Sequence, residues 1–209
     1  IVLADSANSL IHPGKLFDRN ILEQERQRIT ARLRNEGYFA FNKEYISYVA
    51  DTTIGHKGVD LELFLSDIPV ADSTREEVVA FRKHNTYTVR DVYFITDYNP
   101  MGSTPEEKYA IKDTILYKGY YILYGEKEYL HPSTLVENCY IMPGAAYSTR
   151  MVDNTYSAFS RLEVLKYVNI QFTPVRGGET PQIDCHILLT EGKAQLVTTE
   201  VEGTNSAGN

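Results

Sequence analysis

The chain has 209 residues, 43% of them hydrophobic, a formal net charge of −7, and 16 tyrosines with no tryptophan. That hydrophobic share is enough for one large or two small cored domains and excludes a disordered chain. Interspersed charges of both signs exclude a nucleic-acid-binding stripe, and no apolar run approaches the roughly 18 to 20 residues of a membrane-spanning helix. Starting at Ile1 rather than Met and closing on Gly208-Asn209, the sequence is expected to be an excerpt or a processed form of a longer gene product.

Pro13-Gly14 makes a turn, and Leu16-Phe17 sits where a hydrophobic staple onto a first helical turn belongs. Residues 20–36 then read as a helix. Asn20 and Glu23 have capping-box spacing, and Leu22, Ile29 and Leu33 share one face. Glu23, Glu25, Arg26, Arg28, Arg32 and Arg34 are assigned to the wet side, and Gly37 ends the helix as a left-handed residue. Strand composition follows at 45–49, a turn at 55–58, and a strongly alternating strand at 59–65 with Val59, Leu61, Leu63 and Leu65 on one side. From 66 to 77 the composition shifts to Asp, Ser, Pro, Thr and Glu, marking a boundary between two units.

The next strand spans 86–96, with Val89, Asp91, Tyr93 and Ile95 against Arg90, Val92 and Phe94. A loop over 99–107 leads to TILYKGYYILY at 114–124, a tyrosine-rich ribbon or extended insertion. Pro132 starts a short helix running to about Tyr140. Ser148 is placed as the cap of another helix, with Val152, Tyr156, Phe159 and Leu162 on one face. Strands at 167–172 and 183–190 flank a turn over 175–180.

The halves superpose as sequences. Gly14 precedes Leu33 by 19 residues and Gly144 precedes Leu162 by 18, an aromatic follows five positions later at Tyr38 and Tyr167, and each half then shows a strand pair carrying Val59-Asp60-Leu61 or Ile183-Asp184-Cys185. At these residues the chain resembles the POTRA domains of the BamA/TamA surface-antigen superfamily. The matches are LRNEGYFAF at 33–41, MPGAAYS at 142–148, LEVLKYVNIQF at 162–172 and IDCHILLTEGKAQLVTTEVEGTNSAGN at 183–209, the last in the form seen among Bacteroidetes members.

The resemblance implies an α+β chain of tandem β-α-α-β-β modules, each a small mixed three-stranded sheet covered on one face by two helices. The expected division is a partial module at 1–68 lacking its first strand, a linker at 69–85, and a complete module at 86–191 with a tyrosine-rich insertion over about 98–130. Residues 192–209 would lead into a membrane β-barrel. It further implies a non-catalytic periplasmic scaffold of an outer-membrane assembly or translocation factor. Its partners would be unfolded outer-membrane protein precursors, accessory subunits and the C-terminal barrel of the same chain, with no nucleic acid and no cofactor.

An exposed sheet edge offers unpaired N–H and C=O groups to an extended segment with little dependence on its sequence. The candidate edge residues are Tyr45, Ile46, Ser47, Tyr48 and Val49, and Tyr167, Val168, Asn169, Ile170 and Gln171. Pro174 would stop pairing on the second edge, and the alternative is that a neighbouring module or the tyrosine ribbon caps one or both. A purely structural spacer that orients the barrel is a rival function. A secreted carbohydrate-binding domain using Tyr117, Tyr120, Tyr121 and Tyr124 as a stacking platform is another.

Catalytic and metal patterns are weak. Asp184-Cys185-His186 cannot converge on a strand, where neighbours point to opposite faces, so Cys185 is expected inside and His186 outside. His12, His56, His84 and His131 fall in no metal-binding spacing, and Gly177-Gly178 reads as a hairpin turn rather than a phosphate loop. Cys139 and Cys185 are either two buried free thiols or one bridge between the short helix and the last strand.

Overall fold

The computed structural model describes residues 1–53, 58–71, 78–126, 128–178 and 180–192. Most of the expected turn at 55–58, part of the composition shift at 66–77 and all but the first residue of the lead-in at 192–209 lie outside the described residues.

Helix α1 (Arg19–Asn35) starts one residue before the expected cap, because Asp18 accepts the Asn20 N–H at 2.8 Å and takes the N-cap role assigned to Asn20. Glu23 is thereby free to bind Arg26, Gln27 and Lys43 instead of closing a capping box. Leu16 and Phe17 stand exposed, so the expected staple does not form. The helix stops where expected. Gly37, at φ 102°, lets the Tyr38 N–H reach back to Leu33 O and the Gly37 N–H to Arg34 O, a Schellman closure.

Strands β1 (Ile46–Asp51) and β2 (Asp60–Leu65) form an antiparallel two-stranded sheet with Ile46 opposite Leu65 and Asp51 opposite Asp60. Ile29 and Leu33 of α1 pack with Phe41 and Ile46 to make this unit's core. Glu25 is buried rather than wet, at 3% exposure. It accepts from Arg28 and from the Leu10 N–H at 3.0 Å, while Arg28 also binds Asp5, so residues 5–10 are tied onto the helix.

The stretch expected as a linker contains a second antiparallel pair, β3 (Ile68–Ala71) and β4 (Val78–Arg82). Past β4, His84 packs edge-on against Phe41 and Tyr45 and hydrogen-bonds Ser66 O, returning the chain to the first unit.

The second unit is a five-stranded mixed sheet in the order β6-β7-β5-β9-β8. Its strands are β5 (Thr88–Ile95), β6 (Asp113–Tyr117), β7 (Tyr120–Tyr124), β8 (Leu165–Pro174) and β9 (Gln182–Glu191). Between them lie the short helix α2 (Pro105–Lys108), α3 (Pro132–Glu137) and α4 (Thr149–Phe159). The three expected strands, β5, β8 and β9, are joined by two more. Lys118 and Gly119 both have positive φ, as a two-residue primed hairpin turn requires, and β7 then pairs in parallel with β5. The tyrosine-rich stretch is therefore part of the sheet.

A register shift between Val89 and Val92 re-aims β5, so Val89, Val92 and Phe94 all join the core. Facing them are Leu135 of α3 and Phe159 of α4, with Ile183, Cys185, Ile187 and Leu189 of β9 alongside. On α4, Thr155 is buried with both hydrogen-bonding roles filled, by Met151 O and the Tyr140 N–H, whereas Tyr156 is exposed and leaves the apolar face to which its spacing assigned it.

Candidate protein-binding edges

β1 pairs with β2 and with no other strand among the described residues, so its outer side is unpaired. Ser47 and Val49 are exposed, Ile46 is buried in the first core, and the Tyr48 ring packs against that core with its hydroxyl buried and unbonded. Burial and the nearby Glu25 carboxylate push the Tyr48 hydroxyl up to about 12. Tyr45 falls outside the strand. It closes the turn Lys43–Tyr45, packs on Phe41 and His84, and accepts the Ser66 N–H at 2.8 Å, so its ring and carbonyl are already used.

β8 ends the larger sheet. It pairs with β9 from Leu165–Glu191 to Pro174–Ile183, with a register shift between Leu165 and Tyr167. Val168 and Ile170 pack on the core, whereas Asn169 and Gln171 alternate to the other face. Tyr167 stacks on Tyr98 at 5.9 Å. The tyrosine ribbon sits at the opposite end of the sheet, beyond β5, and so does not cap this edge.

The two sets of candidate residues belong to separate sheets and do not converge. Two further unpaired sides were missed by the sequence reasoning. β2 presents Leu63, Phe64 and Leu65 partly exposed along an outer side without a partner among the described residues, and the VDLELFL alternation was the available signal. β6 ends the larger sheet at its other edge, with Leu116 exposed, but its place depended on the pairing of β7.

The sheet face opposite the helices carries charge and aromatic ladders rather than chemistry. Arg90 donates to both Asp184 oxygens across β5 and β9, and this partner raises the guanidinium further. Tyr121, Tyr93 and His186 stack in a row at 5.0 Å spacings, and burial lowers His186 against the opposing pull of Asp184. Cys185 faces the core and His186 the other side, so the Asp-Cys-His run stays divergent. Both cysteines are free thiols, and Cys139 donates to Ile141 O at 3.3 Å. Of the four tyrosines considered for a stacking platform, Tyr120 and Tyr124 are buried, their hydroxyls bonded to Ile141 O and Leu130 O. Among the described residues no cluster of His, Cys, Asp and Glu could hold a metal ion, and no helix is long and apolar enough to cross a membrane.

Residues 5–64 match the family model of POTRA, the surface antigen variable number repeat. The match covers α1 with the β1–β2 pair and the segment tied onto the helix. Over 91% of its length the chain shares its fold with two solved BamA structures. One is the POTRA3-5 crystal structure from Haemophilus influenzae, with a TM-score of 0.51, 16% identity, and coverage of 91% of this chain and 55% of that one. The other is BamA from Haemophilus ducreyi lacking POTRA domains 1-3, with a TM-score of 0.54, 17% identity, and coverage of 91% and 27%. The chain thus spans about half the length of the first and about a quarter of the second. No curated protein matches it by sequence. The mixed α+β architecture is the fold that these POTRA-containing structures share with this chain, and α+β is the class expected from the sequence.

Proposed function

We propose that this POTRA chain is the non-catalytic, periplasm-facing scaffold of an outer-membrane protein assembly or translocation factor, and that it binds extended segments of unfolded outer-membrane precursors by adding them as a strand. The observation that carries this reading is the outer side of β8, which ends a five-stranded sheet and has no partner among the described residues. Residues 167–171 supply that edge, and 46–49 of β1 a second one. Main-chain bonds give the affinity, and alternate side chains meet Val168 and Ile170 on one face and Asn169 and Gln171 on the other. Accessory subunits and a barrel in the same protein are the further partners on this reading, and residues 192–209 would be the lead-in to that barrel.

The test is photo-crosslinking from Ser47 and Asn169 in the full-length protein within cell envelopes. Capture of precursor chains is the expected result, with yield alternating along 167–171 as side chains switch faces. A second reading, that the modules only space and orient the barrel, is favoured by the close packing of the two units through Phe39. Crosslinks to accessory subunits alone, and never to precursors, would establish that reading and remove the first.

A further inference from the structure

We propose that Asn35 is a latch between the two units: it caps helix α4 from the end of helix α1 and, together with Phe39, makes the two sheets move as one rigid body. Ser148 holds the N-cap position of α4, but its side chain makes no capping bond to the helix. Its hydroxyl donates instead to Asn35 Oδ1 at 3.1 Å, and the same oxygen accepts the Arg150 N–H at 2.9 Å. Arg150 is the second residue of α4, and its N–H is one of the donors that a first turn leaves unpaired. The cap is therefore supplied by a residue more than a hundred positions earlier, in the other unit.

The segment just after Asn35 extends the joint. The left-handed Gly37 turns the chain so that Phe39 reaches Tyr87 at 5.6 Å, Tyr147 at 5.0 Å and Phe172 at 5.7 Å, three rings of the second unit. A side chain at Gly37 would press on Thr86 Cβ at 3.2 Å, which shows how closely the turn lies on the second unit. Gly37 O accepts the Tyr87 N–H, and Tyr87 O accepts the Tyr147 N–H, both at 2.9 Å. Arg34 completes the set, donating to the Tyr147 hydroxyl at 2.9 Å with its guanidinium over the same ring.

These contacts differ in kind and direction, so a hinge at residues 36–39 would break all of them together. The unpaired sides of β1 and β8 are thereby held in a constant relative direction. This holds whether or not either edge binds a client.

Amide residual dipolar couplings of the 209-residue chain in a dilute alignment medium read the joint directly. A single alignment tensor is expected to fit both units of the wild type, and Asn35→Asp, whose carboxylate accepts the same two bonds, is expected to keep it. Asn35→Ala is expected to lose the shared tensor while each unit retains its own fold. Phe39→Leu, which removes the ring contacts but keeps an apolar side chain, is expected to do the same and serves where the alanine variant folds poorly. A wild type that needs two tensors, or two variants that both keep one, would overturn the latch.

Discussion

Among the described residues, the first unit holds its helix with four buried apolar side chains, Ile29, Leu33, Phe41 and Ile46, whereas the second closes fifteen around five strands. A two-stranded sheet is marginal alone, because half of its backbone groups face outward and one face of the hairpin exceeds what a single helix covers. The first unit makes up the difference by other means. The Glu25–Arg28–Asp5 network fastens residues 5–10 onto α1, and Phe39 borrows the aromatic surface of its neighbour. The second unit is held by its own core. The contrast shows why Leu63 and Leu65 stay partly exposed on β2 while Ile187 and Leu189, in the equivalent strand β9, are buried.

The comparison breaks most sharply at Phe159. Its ring is fully buried against Phe94, so Phe159→Ala is expected to destabilise the second unit by ~3–5 kcal/mol, read by urea unfolding. A loss near that of a surface substitution would mean that this core is not what holds the unit.

A smaller effect separates the first unit. Burial pushes the Glu25 carboxyl up, but the hydrogen bonds from Arg28 and the Leu10 N–H outweigh it and hold the group below the usual carboxylate range. Its stabilisation is therefore complete above the unfolded carboxylate pKa and is lost as pH falls through the lower, folded one. Glu25→Gln, which leaves Asp5 as the one carboxylate on Arg28 in this network, is expected to cost about 1–2 kcal/mol at neutral pH and to flatten the acid limb of the first unit's stability curve. An acid limb as steep as that of the wild type would assign the pH dependence elsewhere.

The smallest effect sharpens the role of the tyrosine ribbon. Gly119 lies at φ 85°, so Gly119→Ala is expected to cost about 1 kcal/mol. Hydrogen exchange should rise in β6 and β7 with α1 unchanged. Equal loosening of α1 would show that the ribbon supports the first unit as well.

Local signals carried much of the fold. Gly37 and Pro132 mark helix ends in the sequence because each acts through backbone conformation within one turn, whereas Ser148 holds the N-cap position of α4 without a capping bond from its own side chain. The alternation at 183–190 placed Cys185 inside and His186 outside for the same reason. Errors arose where two residues of similar chemistry competed, as Asp18 did with Asn20 for the cap, or where a charge found partners far away, as Glu25 did with the Leu10 N–H. Of the candidate edge residues, 46–49 and 167–171 lie in strands with unpaired outer sides, while Tyr45 is consumed by the turn before β1.

By itself, the sequence determined helix α1, the starts of α3 and α4, and the strands β1, β2, β5, β8 and β9, since periodicity and end signals are properties of a few neighbouring residues. Only the tertiary structure decided that the expected linker holds β3 and β4, that the tyrosine ribbon is two strands of the larger sheet, that β2 and β6 also have one side without a partner among the described residues, and that Asn35 caps a helix in the other unit. Strand partners and contacts between units join residues separated by tens to more than a hundred positions, and no local pattern records such distances.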